Sequence, residues 1–396
     1  MSRWALGVIA PLVGLFGCTH TTDSLGTNQA VEVPPEGEGT FQEVLGKGQE
    51  EVDQKVQDAF EQLFYGDPDS EAIYVEDGED GAYIYNVAEE DIRTDALGYG
   101  LLITVELDRP DEFARLWTYG KEHLQYKSGA REGYLYWHCP ETDTGCPDPN
   151  GMQYAAVALS FAGKRWGNDD YRADAAALLE VLLHREDLNG GVAEEVYGVF
   201  DETSHLVRVT PVGFSPVGYS SALLPAFTDL WAEGAGRDGQ EWQAITDASR
   251  NALSALTETP TGLPPEHFNV DSGTPYGSSF SVESFRVGLN LGVDHLWHGV
   301  SWSEEADGIL GFFVDQGDDY LSTYNTDTGE SVSTARSPAL RATNGAAAIA
   351  ATLPEREDFI QTVWDMPIPT GDGRYYGGIL YLMSLIALSG DLQVVQ

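Results

Sequence analysis

Apolar residues recur at intervals of three and four along most of the chain from about residue 49, the spacing of one face of an α-helix. Two such stripes are Ile92, Leu97, Leu101 and Val105, and Ala156, Leu159, Ala162 and Trp166. The pattern predicts twelve helices, at about 49–64, 92–107, 110–126, 151–166, 170–185, 220–233, 239–256, 282–298, 303–317, 337–350, 354–365 and 375–388. Only three short runs, 72–75, 83–87 and 206–209, are expected to form strands.

Twelve helices that follow one another in pairs predict an all-α fold, an (α/α)6 barrel of two concentric rings with loops lining one mouth. A linear helical-repeat array is the alternative, but no repeat of fixed period is visible in the chain. The long loops at 127–150, 186–219 and 257–281 carry many aromatic and polar residues. Loops of this length in a compact domain are usually functional, so we expect the binding site among them.

The N-terminus predicts export from a bacterial cell. Arg3 precedes an apolar run at 5–16 that is short for a transmembrane helix, and Leu15-Phe16-Gly17-Cys18 resembles a lipoprotein box. We therefore expect a signal peptide at 1–17, lipidation of Cys18, a flexible tether at 18–48 and a single domain at 49–396. The expected location is the outer membrane or cell surface. An ordinary secretory signal, which predicts a periplasmic or secreted protein, is the alternative.

The remaining cysteines, Cys139 and Cys146, bracket a loop that contains Pro and Gly. In an exported protein such a pair predicts a disulfide rather than a metal site. The sequence has no His-Glu-x-x-His motif and no Cys-x-x-Cys pair. We therefore expect neither a metal nor a cofactor.

Charge narrows the range of partners. Acidic residues outnumber basic ones 64 to 21, for a net charge of −43. So negative a chain repels phosphate backbones and anionic lipid headgroups, which argues against nucleic acid and against a membrane contact other than a lipid anchor. Polyanionic substrates are disfavoured for the same reason, so neutral ligands and cations remain.

Two helix starts combine charged and apolar residues. Asp95 lies one turn into the helix predicted at 92–107, where it either complements the helix dipole or faces a ligand. Glu283 and Arg286 begin the helix predicted at 282–298, and they form either a surface pair of small energetic value or, on an inner-ring helix, a charged pair facing the central cavity.

Eight segments in the same order make the chain similar to glycoside hydrolase family 8, and specifically to its branch of reducing-end xylose-releasing exo-oligoxylanases. These segments are QLFYGDPDSEAIY, DIRTDALGYGLLI, GYLYWHC, YAAVALSFAGKRWGN, LPAFTDLWA, ESFRVGLNLGVD, QGDDYLSTYN and RYYGGILYL. The resemblance covers about residue 49 to the C-terminus. It implies an (α/α)6 barrel with an open cleft and inverting hydrolysis of β-1,4-linked neutral sugars.

The resemblance also assigns the catalytic positions. The family's general acid is a Glu in an Arg-Ser-Glu-Gly-x-Ser-Tyr-Gly segment, and Asp95 stands at the matching position here. Its general base is an Asp, and the matching residue here is Glu283. A third family carboxylate, in a Pro-Asp-Gly-Glu-Glu-Tyr segment, corresponds to Asn150, which we expect to position the sugar.

These substitutions leave two interpretations open. In the first, Asp replaces Glu on one side and Glu replaces Asp on the other, so the summed side-chain length is kept. The gap needed for an attacking water is then preserved and the enzyme is active. Xylo-oligosaccharides are the first expected substrates and β-glucans the second. Alternatively, the shifted groups abolish catalysis, and the protein is a surface lipoprotein that binds oligosaccharides.

The expected sugar contacts are mostly aromatic, because sugar C–H groups pack against aromatic rings. The residues expected to bind substrate, besides Asn150, are Tyr99, Trp137, Tyr154, Phe285, Arg286, Arg336 and Tyr376. Arg336 matches the position of a His in a cleft-blocking loop of the exo-acting branch, so it bears on whether cleavage is exo or endo. Oligomeric state does not follow from the sequence.

Overall fold

The computed structural model describes residues 39–139, 146–234 and 236–395. Thirteen α-helices lie in this part of the chain: α1 Thr40–Leu45, α2 Gln49–Tyr65, α3 Thr94–Glu106, α4 Pro110–Tyr119, α5 Pro149–Arg165, α6 Asp169–Leu188, α7 Pro225–Gly234, α8 Gly239–Thr257, α9 Val282–His298, α10 Ser303–Gln316, α11 Pro338–Ala347, α12 Arg356–Asp365 and α13 Tyr376–Ser389. Each of the twelve predicted helices is present. The third continues from α4 into a π-helical turn at Gly120–Leu124.

From α2 onward the helices alternate between an outer and an inner ring. The inner helices α3, α5, α7, α9, α11 and α13 pack against one another around the ring, with a 3₁₀ turn at Ser220–Ala222 joining α5 to α9, and α13 returns to α3 to close it. Helices α2, α4, α6, α8, α10 and α12 pack outside them. The fold is the predicted (α/α)6 barrel.

The inner helices are apolar on nearly all sides, because each contacts both ring neighbours and an outer helix. Every residue of α3 except Asp95 is buried, and so is every residue of α13 after Tyr376. Glycine allows the closest approach in the ring: a Cβ at Gly98 of α3 would lie 2.6 Å from the Cβ of Tyr154 on α5. A helix that is buried on all sides has only a weak amphipathic pattern. Its place in the sequence is therefore indicated more clearly by the helices before and after it than by its own periodicity.

Nine short strands form three small antiparallel sheets within the described residues. The strands β1 Tyr74–Asp77, β2 Gly81–Asn86, β3 Asp91–Arg93 and β4 His138–Cys139 pair in chain order and lead into α3. A second sheet joins β5 Val217–Tyr219, β6 His267–Asn269 and β7 Pro275–Tyr276, and β8 Ser279–Phe280 pairs with β9 Tyr324–Asn325 just before α9. These sheets tie together the long loops that precede the inner helices. The predicted strand at 206–209 forms only isolated bridges and single bonds.

Two boundaries predicted from sequence are wrong. Helix α1 lies inside the segment predicted as a tether, and its Phe41 is fully buried against Trp364, with ring centroids 5.0 Å apart. The folded domain therefore begins by Gly39, because one large aromatic side chain anchors the segment to the outer ring. Helix α7 begins at Pro225, five residues later than predicted, since the 3₁₀ turn and an extended Leu223 precede it.

The predicted signal peptide, the lipidated Cys18 and the tether up to residue 38 lie outside the described residues. None of the described helices is long and apolar enough to cross a membrane.

Candidate active site

A cleft of about 260 Å³ opens at the mouth of the barrel where the inner helices begin. Asp95, Asn150 and Glu283 are each the second residue of an inner helix, of α3, α5 and α9 respectively. The barrel therefore brings together side chains that are almost two hundred residues apart in the chain. The other lining residues are Arg93, Trp137, Cys146, Pro147, Asp148, Pro149, Arg208, Val209, Thr210, Tyr219, Ala222 and Arg286.

Asp95 is held at the first turn of α3, where its Oδ1 accepts a 2.8 Å hydrogen bond from the backbone N–H of Ala96. Burial raises the pKa of the Asp95 carboxyl, and the negative charge of Glu283 acts in the same direction. Arg286 and Arg93 oppose this rise. Because burial is the largest effect, Asp95 retains its proton to a higher pH than an exposed aspartate, as a general acid must.

Glu283 is the fixed carboxylate of the site. Its Oε2 accepts a 2.6 Å hydrogen bond from the hydroxyl of Ser221 and a second, very short one from Nη2 of Arg286. Within the described part of the chain, both of these side-chain contacts are made by Oε2 and neither by Oε1. Ser221 belongs to the 3₁₀ turn that precedes α7 and was not identified from the sequence.

Arg286 lies between the two carboxyl groups. Its side chain is only 3 % exposed, and its Nη1 lies 3.6 Å from Oδ2 of Asp95. The same nitrogen donates a 3.1 Å hydrogen bond to the hydroxyl of Tyr99. One guanidinium contacts both carboxyl groups. The contacting oxygens of Asp95 and Glu283 are therefore separated by at most the width of the guanidinium plus the two contact distances, roughly 9 Å. This upper limit is compatible with the separation of about 6.5–9.5 Å between the carboxyl groups of inverting glycosidases.

Three tyrosines support the site without lining the cleft. The ring of Tyr99 packs 4.4 Å from that of Tyr154, and the hydroxyl of Tyr376 donates to the backbone carbonyl of Val282 at the start of α9. Burial raises the pKa of all three phenols, which therefore stay neutral at physiological pH. Tyr99 and Tyr154 are almost fully buried, so they support Arg286 from below rather than lining the cleft.

Trp137 lies in the cleft wall and is 46 % exposed. The guanidinium of Arg93 lies 5.4 Å from its ring centroid, and Arg93 is in turn bound by Asp91. This contact and the ring of His138, 4.8 Å away, hold the indole, while nearly half of its surface stays exposed, as a sugar platform requires.

Of the residues predicted to bind substrate, Asn150, Trp137 and Arg286 line the cleft, whereas Tyr99, Tyr154, Tyr376, Phe285 and Arg336 do not. Phe285 is 3 % exposed and packs against Phe280, which makes it a core residue of α9. Arg336 is 56 % exposed and forms an ion pair of 3.1 Å with Asp319. The prediction for Phe285 is wrong because a sequence does not reveal which face of an inner helix points to the cleft. Arg336 lies in the loop before α11, whose path across the barrel mouth is not encoded in its local sequence.

A third carboxyl group, which the sequence analysis missed, lies beside Asn150. Asp148 precedes α5 and caps it, with its Oδ1 accepting a 3.0 Å hydrogen bond from the N–H of Asn150. Burial and the charge of Asp95 raise the pKa of Asp148 to about 7. The signal was present in the sequence, since Asp followed by Pro is a typical helix start, but it indicates only a cap.

The predicted disulfide between Cys139 and Cys146 stays a prediction, because residues 140–145 and the Cys139 side chain lie outside the described part of the chain. Elsewhere in that part, Glu180, His184 and Asp238 bring three potential metal-ligand atoms within 4.8 Å of one another. None of these three residues lines the cleft.

An (α/α)6 barrel with opposed carboxyl groups at the mouth of its inner ring has the architecture of a glycoside hydrolase. The chain belongs to the glycosyl hydrolases family 8, whose family model matches residues 78–390.

Two curated relatives cover most of the chain. It is 33% identical over 369 residues to the reducing end xylose-releasing exo-oligoxylanase of Halalkalibacterium halodurans, covering 88% of this chain and 92% of the relative. It is 31% identical over 368 residues to the reducing-end xylose-releasing exo-oligoxylanase Rex8A of Paenibacillus barcinonensis, covering 88% and 94%. The structure of Rex8A complexed with xylose has a TM-score of 0.84 and 30% sequence identity, covering 91% of this chain and 98% of that one.

Proposed function

We propose that this protein is an inverting glycosidase that acts on neutral β-1,4-linked oligosaccharides, with xylo-oligosaccharides as its main substrates. The observation that carries the proposal is the placement of Asp95 and Glu283 on either side of Arg286 in one cleft. The xylose-releasing activity in the names of the two relatives supports the choice of sugar.

Asp95 is the proposed general acid. It donates its proton to the glycosidic oxygen while the bond from that oxygen to the anomeric carbon breaks. Burial suits it to this role, because a carboxyl with a raised pKa is still protonated near neutral pH.

Glu283 is the proposed general base. It takes a proton from a water molecule that attacks the anomeric carbon from the opposite face of the sugar, so the configuration at that carbon inverts. Ser221 and Arg286 both bind Oε2, which orients Oε1 toward the water. Asn150 and Trp137 position the sugar, the first through its amide and the second through its ring face.

A non-catalytic oligosaccharide-binding role is the second candidate. The observation that favours it is the direct contact between Arg286 and Glu283, which neutralises the carboxylate needed to activate water.

We further propose that the chain is exported and lipid-anchored through Cys18. Acyl labelling of the full-length chain in a bacterial host, with Cys18→Ser as the control, tests the anchor.

One experiment separates the two candidate functions. The purified protein is incubated with xylo- and cello-oligosaccharides, and cleavage and binding are scored separately, with the anomer of the new reducing end followed by proton NMR. The enzyme is expected to release the α-anomer, and both Asp95→Asn and Glu283→Gln are expected to abolish the products. Binding without products in the wild type would favour the binding protein, and a β-anomer as the first product would exclude inversion.

A further inference from the structure

Asp148 places a carboxyl oxygen in the interior of the site without a hydrogen-bond partner. Its Oδ1 caps α5, whereas its Oδ2 is buried and is contacted by no hydrogen-bonding group of the described residues. Capping requires only one oxygen, so it does not account for the second. The neighbouring Asn150, only 7 % exposed, has a buried and equally unpartnered Oδ1. Buried polar atoms of this kind normally have partners, so two together indicate a functional arrangement.

The packing of two inner helices brings Asp148 close to Asp95. A Cβ at Gly151, in the first turn of α5, would lie 2.5 Å from the carbonyl carbon of Thr94 and 2.6 Å from the backbone nitrogen of Asp95. The Asp148 carboxylate caps this same turn through the N–H of Asn150. The start of α5 therefore rests directly on the start of α3, and the two carboxyl groups share one desolvated region.

The ionisable groups facing this pair come from several elements. They are Arg93 and Asp91 of β3, Tyr99 of α3, Cys146 before α5, Tyr154 of α5, Arg208 and Tyr219 near β5, Glu283 and Arg286 of α9, and Tyr375 and Tyr376 at the start of α13. The arginines remain charged at every relevant pH. The pKa values of the five tyrosines are raised, so they remain neutral.

Arg286 does not neutralise both aspartates. Its guanidinium is shared between Glu283, Tyr99 and Asp95, and the distance to Asp95 is the longest of these contacts. Removing both protons from Asp95 and Asp148 would therefore place two anions side by side in a desolvated region where Arg286 and Arg93 offset only part of their charge. Repulsion of this kind keeps one proton on a carboxyl pair, as in sites where two acids share a proton.

We propose that Asp95 and Asp148 act as a coupled acid pair that holds one proton in common at neutral pH, so that Asp148 is a positioning residue that keeps the general acid Asp95 protonated. The proposal rests on the proposed function only in naming Asp95 as the acid. In each turnover Asp95 gives one proton to the leaving oxygen and Glu283 gains one from the water. Glu283 then releases its proton to solvent and the pair takes one up, so the site returns to its starting state.

The test is a carbon NMR titration of the protein labelled at its aspartate carboxyl carbons, which does not depend on catalysis. Asp148→Asn removes the charge but keeps a good helix cap. It is expected to lower the midpoint of the Asp95 titration by about one pH unit. Reciprocally, Asp95→Asn is expected to lower the midpoint of Asp148 from its value of about 7. Asp170→Asn, in the exposed first turn of α6, is the matched control and should leave both midpoints unchanged.

The pH profile of kcat/KM provides a second readout. In Asp148→Asn the basic limb of this profile is expected to shift to lower pH by the same amount as the NMR midpoint of Asp95. Asp148→Ser should give the same shift, because serine is also a good helix cap and carries no charge. Midpoints in Asp148→Asn that match those of Asp170→Asn would overturn the coupled pair and leave Asp148 as a cap. If the wild type shows the coupled titration but cleaves no oligosaccharide, the coupled pair stands and the proposed function fails.

Discussion

The hydroxyl of Ser221 donates a 2.6 Å hydrogen bond to Oε2 of Glu283. It links the turn before α7 to the first turn of α9, and it fixes the carboxylate relative to the cleft. Because a hydrogen bond to a charged group contributes more than one between neutral groups, we expect Ser221→Ala to lower kcat about 10-fold. KM for xylo-oligosaccharides should change little, and steady-state kinetics at the pH optimum provide the measurement.

The adjacent Ser220 offers the matched control for this prediction. It is equally buried, but its hydroxyl donates to the backbone carbonyl of Glu266 rather than to Glu283. Ser220→Ala should therefore leave kcat close to that of the wild type. Equal losses of kcat in the two variants would show that Ser221 supports only the local fold.

Arg286 should be essential for stability as well as for the site. Replacing it with Met leaves Asp95 and Glu283 without their shared counter-charge, which is expected to lower the free energy of unfolding by about 3 kcal/mol. Urea denaturation followed by circular dichroism measures the change. Arg336→Met removes an exposed pair with Asp319 and should cost less than about 1 kcal/mol. A similar loss in both variants would contradict the central role of Arg286.

The lengths of the side chains proposed as acid and base, Asp95 and Glu283, should be coupled. Asp95→Glu brings the two carboxyl groups closer by about one C–C bond, roughly 1.5 Å, and Glu283→Asp separates them by the same amount. Each single variant is expected to lose about 100-fold in kcat, because misplacement of about 1 Å has an effect of that order. The double variant should recover most of the loss, since it restores the gap. Additive losses in the double variant would mean that the summed length does not matter.

The resemblance and the apolar pattern together locate the two proposed catalytic positions, because both depend on short segments. Charged residues at the start of otherwise apolar helices draw attention to Asp95 and Glu283, and the resemblance assigns them the positions of the acid and the base. Their convergence depends on both helices belonging to the inner ring, which the local pattern leaves open and the structure shows.

Other features depend on packing across the barrel, which a local pattern does not encode. Asp148 reads as a helix cap, and its contact with the Asp95 region exists only because Gly151 allows α5 to touch Thr94. Phe285 and Arg336 show the opposite error: Phe285 packs into the core, and Arg336, whose prediction rests on its match to a family His, pairs with Asp319 away from the cleft. Helix α1 is missed because a single buried side chain, Phe41, holds its six residues in place.

The elevated pKa of Asp148 should make the stability of the protein depend on pH in a defined direction. The folded state raises that pKa from 3.8 to about 7, so it binds the proton more tightly than the unfolded chain does. The contribution of Asp148 to stability is therefore fully present below pH 3.8 and is lost as the pH rises toward 7. Asparagine at this position caps the helix equally well and does not titrate.

We therefore expect the Tm of Asp148→Asn, relative to that of the wild type, to increase steadily between pH 4 and pH 7 and to level off above pH 7. Differential scanning calorimetry of both proteins at fixed ionic strength measures this difference, and the exposed carboxylate in Asp170→Asn serves as a control for the change in net charge. The control should give a difference in Tm that is nearly independent of pH. A flat difference for Asp148→Asn as well would mean that its carboxyl group ionises as freely in the folded protein as in the unfolded chain, and the buried acid pair would then have to be abandoned.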